Sequence, residues 1–225
     1  MPYRFALLFF ILFSGYVRGQ QNCICPSGTI IGNVTKPAKT FSFNGGTIVM
    51  CGGYTENGNV FSEFLLYDCR TEKIIGEWDA TQSCTLVKSN DTLIVSTLRN
   101  WPIGKNYEFN TVPFYISKLY YEGNTIKELD YYLSNHRRYS DKEIQRVITN
   151  YQNYKPGNNS DTTINFAYLL FWSYVSGSKK AEQYLNTLES RCGPFDGAIS
   201  EEWNEIIMTY AHYKELAGKG LVQTN

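Results

Sequence analysis

Histidine is scarce in this chain: His136 and His212 are the only two in 225 residues. A hydrolase built on a Ser–His or Cys–His pair has to recruit one of them. His212 falls in a helical pattern close to Trp203 and Tyr210, and His136 precedes two arginines in a loop, so both read as structural histidines. No G-x-S-x-G elbow is present, and Cys192 has no nucleophile context. Metal signals are equally thin. Cys23-Ile24-Cys25 places two thiols one residue apart, but no Cys-x-x-Cys or His-x-x-x-His completes a tetrahedral zinc set. No run of alternating Asp/Asn oxygens with a trailing Glu makes a calcium loop. The glycine pairs 45–46 and 52–53 lie at strand edges, not between a strand and a helix, so no phosphate cradle is expected. The sequence therefore points to no metal and no cofactor.

Net charge is also missing. Twenty-one basic residues balance twenty-one acidic ones, which gives no electrostatic case for nucleic acid or for an anionic membrane surface. Long apolar runs are confined to the first nineteen residues, MPYRFALLFFILFSGYVRG. There Arg4 precedes the unbroken run Phe5–Phe13, and Val17-Arg18-Gly19 places modest side chains where a signal peptidase reads them. The run is too short for a bilayer core of about 30 Å. Residues 1–19 are expected to be a signal peptide, leaving an exported chain that starts near Gln20, secreted or periplasmic and not inserted in a membrane. A mature chain of that size is long enough for a sizeable core.

All six cysteines, Cys23, Cys25, Cys51, Cys69, Cys84 and Cys192, follow the leader. An even count in an exported chain makes each a disulfide candidate, with fifteen connectivities open. Five lie before residue 85, so the first third is expected to be stapled. Cys192 either ties the C-terminal part to the N-terminal part or stays free. Asn33, Asn90 and Asn158 head Asn-x-Ser/Thr sites, which are glycan acceptors if the host adds glycans.

Residues 20–133 read as a disulfide-containing antiparallel β region. Short β-branched and aromatic runs such as TIVMCGG, VFSEFLLY, KIIGEW, TLIVSTL and FYISKLYY alternate with turn chemistry at Asn44-Gly45, Asn57-Gly58 and Ser89-Asn90-Asp91. The stretch from Cys51 to Trp78, with its glycine pair, Tyr67-Asp68 and Trp78, resembles one blade of a kelch-type propeller over about thirty residues. Trp78 stands some four positions later than that pattern places it. The unit occurs once, whereas a propeller repeats a blade of roughly 40–50 residues at least four times. A single blade-like sheet, with Tyr67 and Trp78 as packing residues, is the expectation.

Residues 134–225 read as about four short helices. Ser140 and Glu143 stand at capping-box spacing before Ile144, Val147, Ile148 and Tyr151. Residues 161–175 are apolar nearly all round, as in a helix buried on most sides. KKAEQYLNTLESRC continues as one amphipathic segment, and a last helix is expected to open on Ser200 as N-cap, with Glu201, Glu202 and Glu205 near its N-terminus. Gly218 ends it, and the tail after it is expected to fray. The segment before Ser134 is ambiguous between helix and strand, with strand favoured. The whole is an α+β protein, an antiparallel meander packed with C-terminal helices in one compact unit.

Aromatics are the one excess: 18 Tyr, 13 Phe and 4 Trp. Tyr115, Tyr120, Tyr121, Tyr131, Tyr132 and Tyr139 cluster in sequence. Tyrosine offers a large contact area with a polar tip, so these six are the candidate binding residues, though the seam between sheet and helices would use them equally well. With no catalytic set visible, the expected function is a non-catalytic exported binding protein acting through another protein, in the manner of an inhibitor or immunity protein. The alternatives are an extracytoplasmic hydrolase acting on glycan or peptidoglycan, and a structural envelope or matrix component.

Overall fold

The computed structural model describes residues 23–55, 58–156 and 160–223. The expected leader, Asn57 of the second turn and the Asn158 site lie outside the described residues. Eight strands follow one another in the first part: β1 (Lys39–Ser42), β2 (Thr47–Thr55), β3 (Val60–Asp68), β4 (Lys73–Trp78), β5 (Cys84–Ser89), β6 (Thr92–Trp101), β7 (Asn110–Glu122) and β8 (Thr125–Leu133). All their pairings are antiparallel, as the short turns require. The sheet forks at β3, whose Val60 and Phe61 pair with β5 while residues 64–68 pair with β4. The expected strand before Ser134 is β8. Where fraying is expected after Gly218, Val222–Gln223 instead adds a ninth strand, β9, parallel to β8. Its neighbour Leu221 is partly buried against the core, and the Ser134 amide donates to the Gln223 carbonyl, so backbone pairing and burial hold the segment from Leu221 to Gln223.

Two glycine pairs shape the sheet through close approach. A Cβ on Gly45 would lie 2.3 Å from Cβ of Tyr121, so the β1–β2 turn can lie against that ring only without a side chain. Gly53 (φ +101°) faces Glu63 (φ +52°) where the β2–β3 register skips a pair. The register is the same on both sides of this irregularity, and glycine carries its half of the left-handed backbone without Cβ strain.

Four of the six cysteines are paired, Cys23–Cys69 and Cys25–Cys51. Both bridges tie the segment before β1 to β2 and the end of β3. Closing loops of 46 and 26 residues constrains the unfolded chain by roughly 3–4 kcal/mol each in the loop-entropy account. Cys192 stays free, and Cys84 is free with it. The two belong to different cores: Cys84 is fully buried inside the sheet, whereas Cys192 packs on the helical cluster. Burial pushes the Cys84 thiol up to about 11.

Five helices follow: α1 (Asp141–Asn153), α2 (Ser160–Val175), α3 (Lys179–Asn186), α4 (Leu188–Cys192) and α5 (Gly197–Gly218). The capping box at Ser140 and Glu143 is complete. The single segment expected over 179–192 is two helices, broken at Thr187. The last helix starts earlier than expected. Asp196 is its N-cap position, so Ser200 sits inside the helix and Glu201 and Glu205 lie in its second and third turns.

One side of the curled sheet encloses Ile48, Met50, Phe61, Phe64, Leu66, Leu93, Val95 and Leu119. Trp78 stacks on Phe64 with centroids 4.7 Å apart, the packing role expected of it. The second core joins sheet to helices and centres on Phe114. The β6–β7 register shifts between Thr97 and Leu98, which leaves Phe114 as the extra residue of a bulge. Pro113, which has no N–H to give the ladder, stands beside it. Fully buried, the Phe114 ring lies within 6.2 Å of the Trp101, Tyr132, Phe171, Trp172 and Tyr213 rings.

Truncation of this hub tests its weight. Phe114→Ala should lower unfolding free energy in urea by about 3–5 kcal/mol, and a loss under about 1 kcal/mol would show that the helices dock without it. A pH effect follows from the helix cap. The Ser140 amide, then the Arg137 guanidinium, hold the Glu143 carboxyl down at about 2, against about 4.3 in an unfolded chain. The resulting stability is present above about pH 4.3 and lost as pH falls through the folded value. Wild type should exceed Glu143→Gln by about 1 kcal/mol at neutral pH, with the gap closing in urea titrations near pH 2; a pH-independent gap would refute the account.

Candidate functional site

Between the bulged half of the sheet and α5 lies an open groove of about 710 Å³, within the size range of ligand sites. Its floor is Thr97 and Arg99 of β6, Phe114 and Tyr115 of β7, and Tyr132 of β8; Trp78, Thr81 and Gln82 form one side. Its roof is one stripe of α5: Glu201, Asn204, Glu205, Met208, Thr209 and His212. These recur at i, i+3, i+4, i+7, i+8 and i+11, one helical face. The opposite stripe, Trp203, Ile206, Tyr210, Tyr213 and Leu216, is buried in the helical core. The helix is thus held by one face and presents the other to the groove, where Met208 is 72% exposed.

A second chamber of about 280 Å³ adjoins it, lined by Ser83, Asn100, Trp101, Thr111 and Tyr168 and sharing Thr81, Arg99, Glu205 and Thr209 with the groove. The boundary is an ion pair: Arg99 meets the Glu205 carboxylate. Burial lowers the Arg99 pKa, and a cation so placed draws an acid to itself. At the far end Tyr132 Oη and His212 Nδ1 are 3.1 Å apart, with the Tyr115 ring packed on the imidazole. Burial raises the Tyr115, Tyr132 and Tyr168 phenols well above their ordinary value, so they stay neutral hydrogen-bonding groups at physiological pH.

The six candidate tyrosines are not brought to one surface. Tyr115 and Tyr132 line the groove. Tyr139 is buried in the helical core and donates to the Pro102 carbonyl. Tyr121 donates to the buried Asp68 carboxylate at 2.6 Å, which Arg70 N and Thr71 Oγ1 also bond. Tyr131 is buried with Ile116 and Leu133, and Tyr120 is exposed at the sheet surface. Sequence reasoning missed Arg99, Trp78, Asn204 and Met208. The polar stripe of α5 carried a usable signal, because it repeats opposite the apolar stripe. Arg99 and Trp78 carried none, since they reach the groove by strand pairing.

A glycosidase needs two carboxylates flanking the scissile bond, whereas Glu201 and Glu205 stand on one face of one helix and Glu205 is engaged by Arg99. His136 is taken up structurally, its Nε2–H donating to the Pro113 carbonyl at 2.6 Å. Among the described residues no group of three or more His, Cys, Asp or Glu side chains is placed to hold a metal, and no helix is long and apolar enough to cross a membrane. Comparison with protein-family models, curated proteins and solved structures finds no match to the chain.

The bridge between the chambers is open to a double-mutant cycle. With Glu205 about half exposed, the coupling between Arg99→Met and Glu205→Gln in urea unfolding should be no more than about 1 kcal/mol. A value near 3 kcal/mol or above, as for a buried pair (about 3–5 on breaking one), would contradict this picture of an exposed clasp.

Proposed function

We propose that this chain is an exported, non-catalytic binding protein that seats a segment of another protein in the groove between the sheet and α5. An inhibitor or immunity-type antagonist is its concrete form. The observation that carries the reading is the two-sided character of α5: an apolar stripe fixes the helix, while the polar stripe with exposed Met208 faces a preformed aromatic floor. Exposed apolar surface beside polar groups is a common mark of interaction sites. Two disulfides accord with an oxidising compartment, secreted or periplasmic, as does the expected leader.

The test compares two baits, the tagged chain made with disulfides intact and the same chain carrying Asn204→Trp and Met208→Trp, which fill the groove from exposed positions. Both are presented to the exported proteins of the host. One stoichiometric partner should be retained by wild type and lost by the filled variant, whose urea midpoint should be unchanged. A partner bound equally by both would exclude the groove as the interface.

A further inference from the structure

Three arginines near the helices are spent on the fold. Arg137 donates to the Ile103 and Gly104 carbonyls, Arg138 to those of Val175 and Ser134, and Arg191 to those of Tyr151, Gln152 and Tyr154. Each guanidinium ties segments of the chain together through backbone acceptors. Arg99 does not. It stands on β6 where the groove meets the inner chamber, and it lines both. Among the described residues its guanidinium bonds no backbone carbonyl, and its one ion pair is with Glu205. A guanidinium carries five donors in a planar fork, so a single carboxylate on Nη1 leaves most of them unspent. That carboxylate is loosely held. Glu205 belongs to the exposed stripe of α5 with its side chain 47% exposed, and an ion pair open to solvent in this way adds little.

The lining of the inner chamber is the second observation. Apart from Arg99 and Glu205 it holds no charged side chain. Ser83, Asn100, Thr111 and Thr209 bring three hydroxyls and one amide to it, and none of these side chains makes a hydrogen bond among the described residues. The Tyr168 and Thr81 hydroxyls, by contrast, are committed to Glu202 and Asp79. Neutral donors beside an unspent guanidinium fork suit a planar anion, and the fork matches the two oxygens of a carboxylate. Leu98 and Ile206 line the same chamber, so an apolar group is accommodated beside the acid.

We propose, resting on the groove reading above, that the segment seated there is the C-terminus of the partner protein. Its terminal carboxylate displaces Glu205 and takes the Arg99 fork, with the chamber hydroxyls donating to the same oxygens. Its last side chain is apolar and lies against Leu98 and Ile206, while the preceding residues run out along the groove. In a C-terminal residue the carboxylate and the side chain branch from one carbon, so both contacts are met together. The carboxylate of Asp or Glu stands at the tip of its side chain and brings no apolar group with it. Glu205, once released, swings into solvent from a position already half open to it.

The probe is N-acetyl-leucine, a minimal C-terminus, titrated into the full disulfide-bonded chain and followed in ¹⁵N spectra by the Arg99 Nε–H resonance, assigned through Arg99→Met. That resonance should shift and saturate. N-acetyl-leucinamide, which lacks the acid, should leave it in place, and N-acetylglutamic acid α-amide, whose acid is on the side chain, should bind less tightly than N-acetyl-leucine. Arg99→Met, read on the shifted amides of the chamber, should weaken binding about tenfold or more, as for loss of charge-assisted hydrogen bonds. Glu205→Gln, at an exposed position, should strengthen binding by about threefold, the worth of a weak surface pair, whereas the control Glu122→Gln leaves it unchanged. No binding of N-acetyl-leucine, equal binding of the amide or of the side-chain acid, or weaker binding by Glu205→Gln would each overturn the proposal. A native partner lost by the groove-filled variant yet still captured after carboxypeptidase trimming would overturn it while leaving the groove reading intact. A partner indifferent to groove filling would remove both.

Discussion

Phe114 at the β7 bulge is the contact on which the joining of the two halves depends. An unbroken strand alternates its side chains between faces. The extra residue between the Thr97–Tyr115 and Leu98–Pro113 pairs breaks that alternation. Phe114 and its neighbour Tyr115 can therefore both reach the helical side, one as the hub of the core and one as groove floor. Without the bulge one of them would be turned to the opposite face. The aromatic cluster around Phe114 draws from β6, β7, β8, α2 and α5, so the same ring that closes the core also fixes where α5 lies over the sheet.

The groove follows from how α5 is anchored. Its buried stripe docks on α2, and a smaller contact reaches β8. The stripe facing the sheet is polar and short of apolar bulk, so nothing drives it down onto Trp78 and Tyr115. Arg99 and Glu205 span the interval instead. An ion pair of this kind adds little to stability, but it holds separation and register where side-chain packing does not. At the other end of the sheet the two disulfides and the buried Asp68, with its three donors, stiffen the region that carries the residue 79–83 loop toward the groove. Rigid framing on both sides keeps the hollow preformed, which would lower the ordering cost of the binding proposed there.

Much of this was legible in the chain itself. The strands, the Ser140–Glu143 capping box, the buried helix over 161–175 and the termination at Gly218 all rest on local periodicity and turn chemistry, and these decide local structure. The misjudged features have non-local causes. Val222–Gln223 pairs with a strand some ninety residues earlier in the chain, and no local pattern announces that. Ser200 matches a cap, yet the helix extends back to Gly197. The tyrosines cluster in sequence but disperse in space, because alternation along β7 and β8 sends neighbours to opposite faces.

The sequence by itself determined the α+β class, the order of the elements, the stapled first third and the two stripes of α5, because each is written in residue type at short spacing. Only the tertiary structure decided which cysteines pair, which two of six tyrosines meet in one hollow, and that Arg99, Trp78 and Glu205 come together there. Those are matters of strand register, of one bulged residue and of the angle at which a helix crosses a sheet. Each arises from contacts between residues far apart in the chain, where sequence spacing carries no distance information.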